Sequence, residues 1–377
     1  MIMRQKVLTI VFLGALFFLN SCKQSITPGE GINVVGDSKI DIPEIEAVTD
    51  FLVNSGDYIN SKQMPSMVSA EDINDNLSMY FVIDVRRPED YAAGHINGAV
   101  NIAVNNLLAY LDEFVAPSVY DKVVIVDETG MEASYIASVL RLIGYSNAYA
   151  LKYGMGAWNR TFDVWSNNIS SKYSNQLETK DYPKDKSYSL PSLQTGAHCG
   201  AEILQARAKT VLNTPFERLT ISAERVFANP SDFYIINFWK KEDYSKGHIP
   251  GAHQYTPKED IQKSKLLKTI PTDKKVVIYC YTGQSASFLM AYLRMLGYNA
   301  FIIPYGSNSF MYNKVIANGW HAFKASEKLN DFLIIKGEKP MGKDFNKQIL
   351  NLGTDAPTKK KKKIKRRKKK EVEGGCG

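Results

Sequence analysis

The stretch Phe81–Ala99 reads FVIDVRRPEDYAAGHINGA, and Tyr234–Ala252 reads YIINFWKKEDYSKGHIPGA. Gly94-His95-Ile96 in the first aligns with Gly247-His248-Ile249 in the second at an offset of 153 residues. The same offset relates KVVIVDETGMEAS, from Lys122, to KVVIYCYTGQSAS, from Lys275. It also relates LRLIGY, from Leu140, to LRMLGY, from Leu293, and the Ser-Ala-Glu triplets at Ser69 and Ser222. Anchors this widely spaced at one offset identify a duplicated unit.

Each copy alternates strand and helix. Val123–Val126 and Val276–Tyr279 are short apolar runs rich in β-branched residues, as strands buried on both faces are. A glycine-containing turn follows each. Then come the helical patterns SYIASVLRLIG and SFLMAYLRMLG, stopped at Gly144 and Gly297. A further strand is expected from Asn147 in one copy and from Asn299 in the other. Strand, helix, strand in that order predicts an α/β unit, a parallel sheet with helices on both faces.

Asp84-Val85-Arg86, then E-x-Y-x-x-G-H-I-x-G-A, then a strand running into C-x-x-G, resembles the rhodanese family. The resemblance covers about residues 65–165 and 215–325, and implies two tandem rhodanese-like domains. On this basis residues 61–170 form the first domain, 171–210 a linker containing Pro183 and Pro191, and 211–330 the second domain. Residues 22–60 are expected to be a tether, and 331–377 a basic disordered tail.

In the second copy the strand runs into Cys280-Tyr281-Thr282-Gly283-Gln284-Ser285. Sites in open parallel sheets form at this edge, between strand end and helix start. Backbone N–H groups there can form a cup for an anion. Such a cup is expected to favour the thiolate, the nucleophilic form of cysteine. Family resemblance implies that Cys280 takes a sulfane sulfur as a persulfide and passes it to a thiol. Tyr281, Thr282, Gly283, Gln284 and Ser285 would form the substrate-binding loop. The related phosphatases close a longer loop with an arginine, which this loop lacks. Because the loop side chains are uncharged, persulfide or polysulfide is expected to serve better than thiosulfate. Asn237-Phe238-Trp239 stands where the first copy has Asp84-Val85-Arg86, which puts the usual acid and arginine in doubt.

Asp127 occupies the position of Cys280 in the first copy and cannot carry a persulfide. That domain is therefore expected to be inactive, with Asp127 as resident anion and Glu128 and Glu132 repelling anionic substrates. His95 and His248 read as structural hydrogen-bonding residues rather than bases. The four cysteines, Cys22, Cys199, Cys280 and Cys376, show neither metal-site spacing nor a C-x-x-C pair, and no disulfide framework is expected. The pair His198-Cys199 lies in the linker and is given no role. No metal and no cofactor are implied.

At the N-terminus Arg4 and Lys6 precede an apolar run, Val7–Leu19, too short to span a bilayer with ease. It ends in Leu19-Asn20-Ser21-Cys22, which resembles a lipobox. Residues 1–21 are expected to be a lipoprotein signal peptide and Cys22 the lipidated residue, placing the protein in a bacterial cell envelope.

The net charge of +8 is carried by the tail, whose run KKKKKIKRRKKK holds eleven of the 47 Lys and Arg. The remaining 36 basic residues nearly balance 39 acidic ones, which argues against a nucleic-acid partner. The run itself could approach anionic lipid. The chain ends Gly374-Gly375-Cys376-Gly377, similar to the swinging arm of sulfur-carrier proteins, so Cys376 is a candidate sulfur carrier. Expected partners are thus a small sulfur donor, a thiol acceptor and a membrane. The competing reading is a lipoprotein that binds sulfur, or other proteins, without turnover.

Overall fold

The apolar runs of both copies become the central strands of two parallel sheets. The computed structural model describes residues 42–114 and 117–337, together with the backbone of strands at 23–27 and 31–35. Those two strands, β1 (Lys23–Thr27) and β2 (Gly31–Val35), form an antiparallel hairpin, and helix α1 (Glu44–Asn54) follows.

The first domain contains β3 (Met67–Val68), α2 (Ala70–Asp75), β4 (Tyr80–Asp84), α3 (Pro88–Ala93) and β5 (Val100–Asn101). It continues with α4 (Leu107–Phe114), β6 (Lys122–Val126), α5 (Met131–Leu142), β7 (Ala148–Leu151) and α6 (Met155–Trp158). Its five strands are parallel and lie in the order β3-β7-β6-β4-β5. Val124, in the middle of β6, faces Val82 on one side and Tyr149 on the other. All four valine and isoleucine side chains of β6 are buried, because helices cover both faces.

After α7 (Gly200–Leu212), the second domain repeats the plan: α8 (Ala223–Ala228), β8 (Phe233–Asn237), α9 (Lys241–Tyr244), β9 (His253–Gln254) and β10 (Lys275–Tyr279). Helix α10 (Gln284–Met295), β11 (Ala300–Ile302), α11 (Tyr312–Ala317) and α12 (Ala325–Lys328) complete it. The parallel sheet runs β11-β10-β8-β9. The counterpart of β3 is reduced to one parallel bridge, Thr220 to Ile302.

The domains are joined by α5 against α10, the two helices that follow the central strands. Small residues allow the approach: Ala133, Ala137 and Ser138 on one, Ala286, Ser287 and Ala291 on the other, all buried. The Ser138 hydroxyl donates to the Phe288 carbonyl across the contact, 2.9 Å.

Three expected boundaries change. Residues 44–54 are not tether: Ile45, Val48 and Leu52 recur at helical spacing, and α1 buries them against α7. The linker includes α7, and its extended part is pinned to the second domain by backbone bonds, such as Tyr173 N to Phe310 O at 2.9 Å. The first residues after 330 dock on the first domain: Ile335 and His95 exchange backbone bonds, and Gly337 N donates to Ala92 O. This segment is largely apolar: Phe332 and Ile334 pack against the first domain's core while its backbone groups find partners there. The signal peptide, Cys22, the lysine run and Cys376 lie outside the described residues. Among the described residues no helix is long and apolar enough to cross a membrane.

Candidate active site at the loop after β10

Strand β10 delivers Cys280 to the carboxyl edge of its sheet, and α10 starts four residues later. The loop between them is turned by what holds its carbonyls. Ser307 N donates to Cys280 O at 2.9 Å, and Asn308 binds Tyr281 O through both its backbone N–H and its Nδ2. With the carbonyls tied outward, amides face in. Ala286 N–H donates to Cys280 Sγ at 3.3 Å, and the N–H groups of Thr282, Gly283 and Ser285 also bear on the sulfur. Gly283 has φ +80°, and a Cβ there would meet Met131 Sδ of the first domain at 2.7 Å. Both the curl and the neighbouring domain therefore require glycine at that position.

One expectation fails here. The amide cup does not make Cys280 acidic. Burial pushes the thiol up, and the hydrogen bonds from Ala286, Thr282, Gly283 and Ser285 pull down without offsetting it. The residue is only 2% exposed and is a free thiol.

The equivalent loop of the first domain holds Asp127 in the same kind of cup. Its carboxylate accepts from Gly130 N at 2.6 Å, Thr129 N at 3.1 Å, Thr129 Oγ1 at 2.8 Å and Glu132 N at 3.2 Å. The amides that would receive an incoming anion are thus already occupied. Burial, then the charges of Asp127, Glu128 and Glu217, push Glu132 up to about 8.

Around Cys280 the walls are aromatic. Trp239 stacks on Tyr281 at 4.6 Å and 7°, and Trp320 and His321 approach the same ring. Asp243 clamps two of them, accepting from Tyr281 Oη at 2.5 Å and Trp320 Nε1 at 2.7 Å. In the first domain the corresponding positions form a buried ion pair, with Arg86 Nη2 at 2.6 Å from Asp84. Asn237 replaces that acid and takes the Tyr279 hydroxyl as acceptor at 2.8 Å. The departure from the motif thus exchanges an ion pair for an amide and an indole. His95 and His248 are fully buried, stack on Tyr91 and Tyr244, and bond backbone carbonyls through Nδ1.

Three polar atoms in or beside the loop are buried without a protein partner among the described residues: Thr282 Oγ1, Gln284 Nε2 and Trp239 Nε1. Basic groups absent from the loop come from elsewhere. Lys152 of the first domain and Lys328 of α12 place their ammonium groups 5.5 and 6.0 Å from the Tyr153 ring. Burial, then Lys152 and Lys328, hold His321 below the ordinary histidine range.

The site is shared between domains, which the motif reading missed. Gln284 Oε1 accepts from Tyr153 N of the first domain at 2.9 Å, and Met131 Sδ accepts from Tyr305 N of the second at 3.1 Å. A signal was available: both copies follow their last strand with Tyr-Gly, at Tyr153-Gly154 and Tyr305-Gly306. Cys199 is also corrected: it is disulfide-bonded. No cluster able to hold a metal occurs among the described residues.

Two parallel α/β units, each with an amide-lined loop between its central strand and the next helix, define a tandem of one domain type. The model of the Rhodanese-like domain family matches residues 69–161 and 226–313, and the chain carries two domains of that family in tandem. Among curated proteins it is similar to the uncharacterized protein YibN of Escherichia coli K12, 29% identical over 77 residues, 20% of this chain and 54% of that protein. The chain spans about half the length of the curated relatives it matches. Among solved structures it is similar to SseA of Escherichia coli, titled a 3-mercaptopyruvate sulfotransferase. That match has 17% identity, 63% of this chain, 97% of the other and a TM-score of 0.24. A thiosulfate sulfurtransferase of Pseudomonas aeruginosa matches at 13% identity, covering 81% of this chain and 71% of that one, with a TM-score of 0.23. The family assignment rests on the family model and on the sheet topology.

Proposed function

We propose that the protein is a sulfurtransferase in which Cys280 carries sulfane sulfur from thiosulfate, a persulfide or polysulfide to an acceptor thiol. The thiolate electron pair of Cys280 forms a bond to the outer sulfur of the donor. The donor's sulfur–sulfur bond (in thiosulfate, the bond to the sulfonate sulfur) breaks, and its pair leaves on sulfite or on the donor thiolate. Attack by the acceptor reverses the exchange. No external oxidant or reductant is needed.

The observation that carries this reading is the ring of amides about Cys280 Sγ, led by Ala286 N–H at 3.3 Å. Hydrogen bonds from N–H groups suit the anionic sulfur of a thiolate or persulfide. The unpartnered Thr282 Oγ1 and Gln284 Nε2 fit a loop that receives a polar ligand. Lys152 and Lys328 add positive charge that favours an anionic donor, thiosulfate included. Asp127, with its cup already filled, leaves the first domain without a sulfur carrier.

Cyanide-dependent thiocyanate formation by the purified protein tests the proposal. Turnover should be abolished in Cys280→Ser with the fold retained; activity surviving that change overturns the assignment. Because burial raises the Cys280 thiol, the rate of sulfur loading should still climb with pH beyond the range where an ordinary cysteine has levelled off. The same low exposure favours a second reading, a protein that stores or senses sulfur. One equivalent of thiocyanate, with no further turnover, would select it.

The proposal includes export with anchoring through Cys22 and onward transfer to Cys376, each of which requires that residue's sulfur to be free of any disulfide with Cys199. A disulfide at Cys199 accords with an oxidising compartment. Palmitate labelling lost in Cys22→Ser tests the anchor. Sulfur found on Cys280 but never on Cys376 defeats the carrier.

A further inference from the structure

We propose that Gln284 is a positioning residue for Cys280: its side-chain oxygen docks in a socket that the first domain builds around Asp127, which fixes the start of α10 and the amides about the sulfur. The inference rests on the reading of Cys280 as sulfur carrier, and it gives the domain without a nucleophile a part in the reaction. Gln284 opens α10, and Met131, 153 residues earlier, opens α5. These equivalent residues cross the domain interface in opposite directions. Gln284 Oε1 accepts from Tyr153 N at 2.9 Å, and Met131 Sδ accepts from Tyr305 N at 3.1 Å.

The socket closes tightly on that oxygen. Gly130 belongs to the Asp127 loop, and a Cβ there would stand 2.6 Å from Gln284 Oε1 and 2.8 Å from Tyr153 N. The Gln284 carbonyl thus occupies the space that any side chain at 130 would fill. Asp127 shapes this wall, because its carboxylate holds the N–H groups of Thr129, Gly130 and Glu132. Trp165 Nε1 donates to Thr129 O at 3.2 Å and to Tyr153 O at 3.1 Å, tying the Asp127 loop to the Tyr153 turn. The anion that organises the socket is part of the chain, so the socket stays formed whether or not substrate is bound.

The same residue is two positions from the sulfur's hydrogen-bond donor. Ala286, whose N–H reaches Cys280 Sγ at 3.3 Å, follows Gln284 in the first turn of α10. Gly283, directly before Gln284, lies so close to Met131 that a Cβ would stand 2.7 Å from Sδ. Residues 283 and 284 are therefore both held by the first domain. Gln284 is fully buried, and its Nε2 has no partner among the described residues. Burying an amide with one end unsatisfied is costly, and Met131 shows that a less polar side chain fits the equivalent place. The gain that offsets this cost is Oε1, which accepts an N–H more strongly than a thioether sulfur does.

Gln284→Leu removes the acceptor, and Gln284→Met supplies a weaker one of the kind seen at Met131. The full-length variants are compared with wild type below their melting ranges. Peptide mass spectrometry follows two rates at Cys280: sulfur loading at saturating thiosulfate or low-molecular-weight persulfide, and alkylation by iodoacetamide. In Gln284→Leu loading should slow about tenfold, the effect of one lost hydrogen bond, while alkylation quickens about threefold as the loop loosens. Gln284→Met should load within about threefold of wild type. A general loss of stability would not drive the two rates in opposite directions. Loading in Gln284→Leu within about twofold of wild type, or equally slow in both variants, overturns the proposal. Asp127→Ala tests the socket: loading should slow about as much, and added formate, which returns a carboxylate to the emptied cup, should recover it without helping Gln284→Leu. A slow Asp127→Ala protein that formate leaves slow refutes the part given to Asp127. If wild type alkylates at Cys280 but never takes up sulfur, the transferase reading falls. Alkylation then decides Gln284 alone, a faster rate in Gln284→Leu than in Gln284→Met supporting the docking and equal rates refuting it.

Discussion

Replacing Gly306 with alanine should break the sulfur-binding loop from behind. A Cβ at 306 would lie 2.2 Å from Cys280 O, 2.7 Å from Gly283 N and 2.8 Å from Tyr281 C. All three are backbone atoms of the loop, so no side chain can swing aside. Relief requires the loop to move by about 1 Å, since ordinary carbon contacts begin near 3.5 Å. That movement strains the Ser307 N–H bond to Cys280 O and turns the amides away from Sγ. The backbone adds its own cost, because φ is +55° at Gly306 and a side chain in this region costs about 1–2 kcal/mol. Overpacking of a tight site adds about 1–3 kcal/mol, for a total of about 2–5 kcal/mol. Gly251 separates the two effects. Its φ is +80°, with nothing within 4 Å of the place a methyl group would take, so Gly251→Ala should cost only about 1–2 kcal/mol. Denaturant unfolding followed by tryptophan fluorescence measures both, and iodoacetamide reports whether Cys280 has become accessible. Equal destabilisation in the two variants, with an unchanged alkylation rate at Cys280, would refute the claim that residue 306 supports the loop through close contact.

Glu132 is raised from 4.5 to about 8, first by burial and then by Asp127, Glu128 and Glu217. An acid whose pKa rises on folding binds more protons in the native state, so the fold should lose stability as pH climbs from about 4.5 to 8. The gap corresponds to on the order of 5 kcal/mol, shared among coupled carboxylates, so Glu132→Gln should stabilise by about 2–3 kcal/mol at pH ~9 and by little at pH ~4. Melting temperature against pH checks this; a benefit equal at both ends contradicts it. The Asp84–Arg86 pair is buried, its side chains 1% exposed. Arg86→Met should therefore destabilise by about 3–5 kcal/mol, and adding Asp84→Asn should recover part of the loss in chemical denaturation. A double variant less stable than the single would show that the pair is not coupled in this way.

The residues of the repeat determine a great deal unaided. A buried parallel strand needs a continuous β-branched run, and Val123–Val126 and Val276–Tyr279 supply one in each copy; both become central strands. The helices that follow end where Gly144 and Gly297 permit a left-handed residue, φ +106° and +94°. Cys280 and Asp127 were legible as equivalent because a fixed offset places both at a strand's end. These features are local, or depend only on register along the chain.

What depended on the tertiary structure involves pairs far apart in sequence. Whether an amide cup lowers a thiol depends on how much water is excluded, and burial of Cys280 outweighs four N–H groups. The uncharged loop acquires basic neighbours because folding brings Lys152 and Lys328 beside Tyr153. Helix α1 was hidden in a polar stretch because its apolar face is short and finds its partner, α7, only after the first domain has been traversed. The exchange of Gln284 for Met131 across the interface follows from packing α5 on α10, which sets each loop against the opposite domain's tyrosine. Side-chain periodicity says which face of a helix is apolar; only the packed structure says what that face, and the loop at its end, will meet.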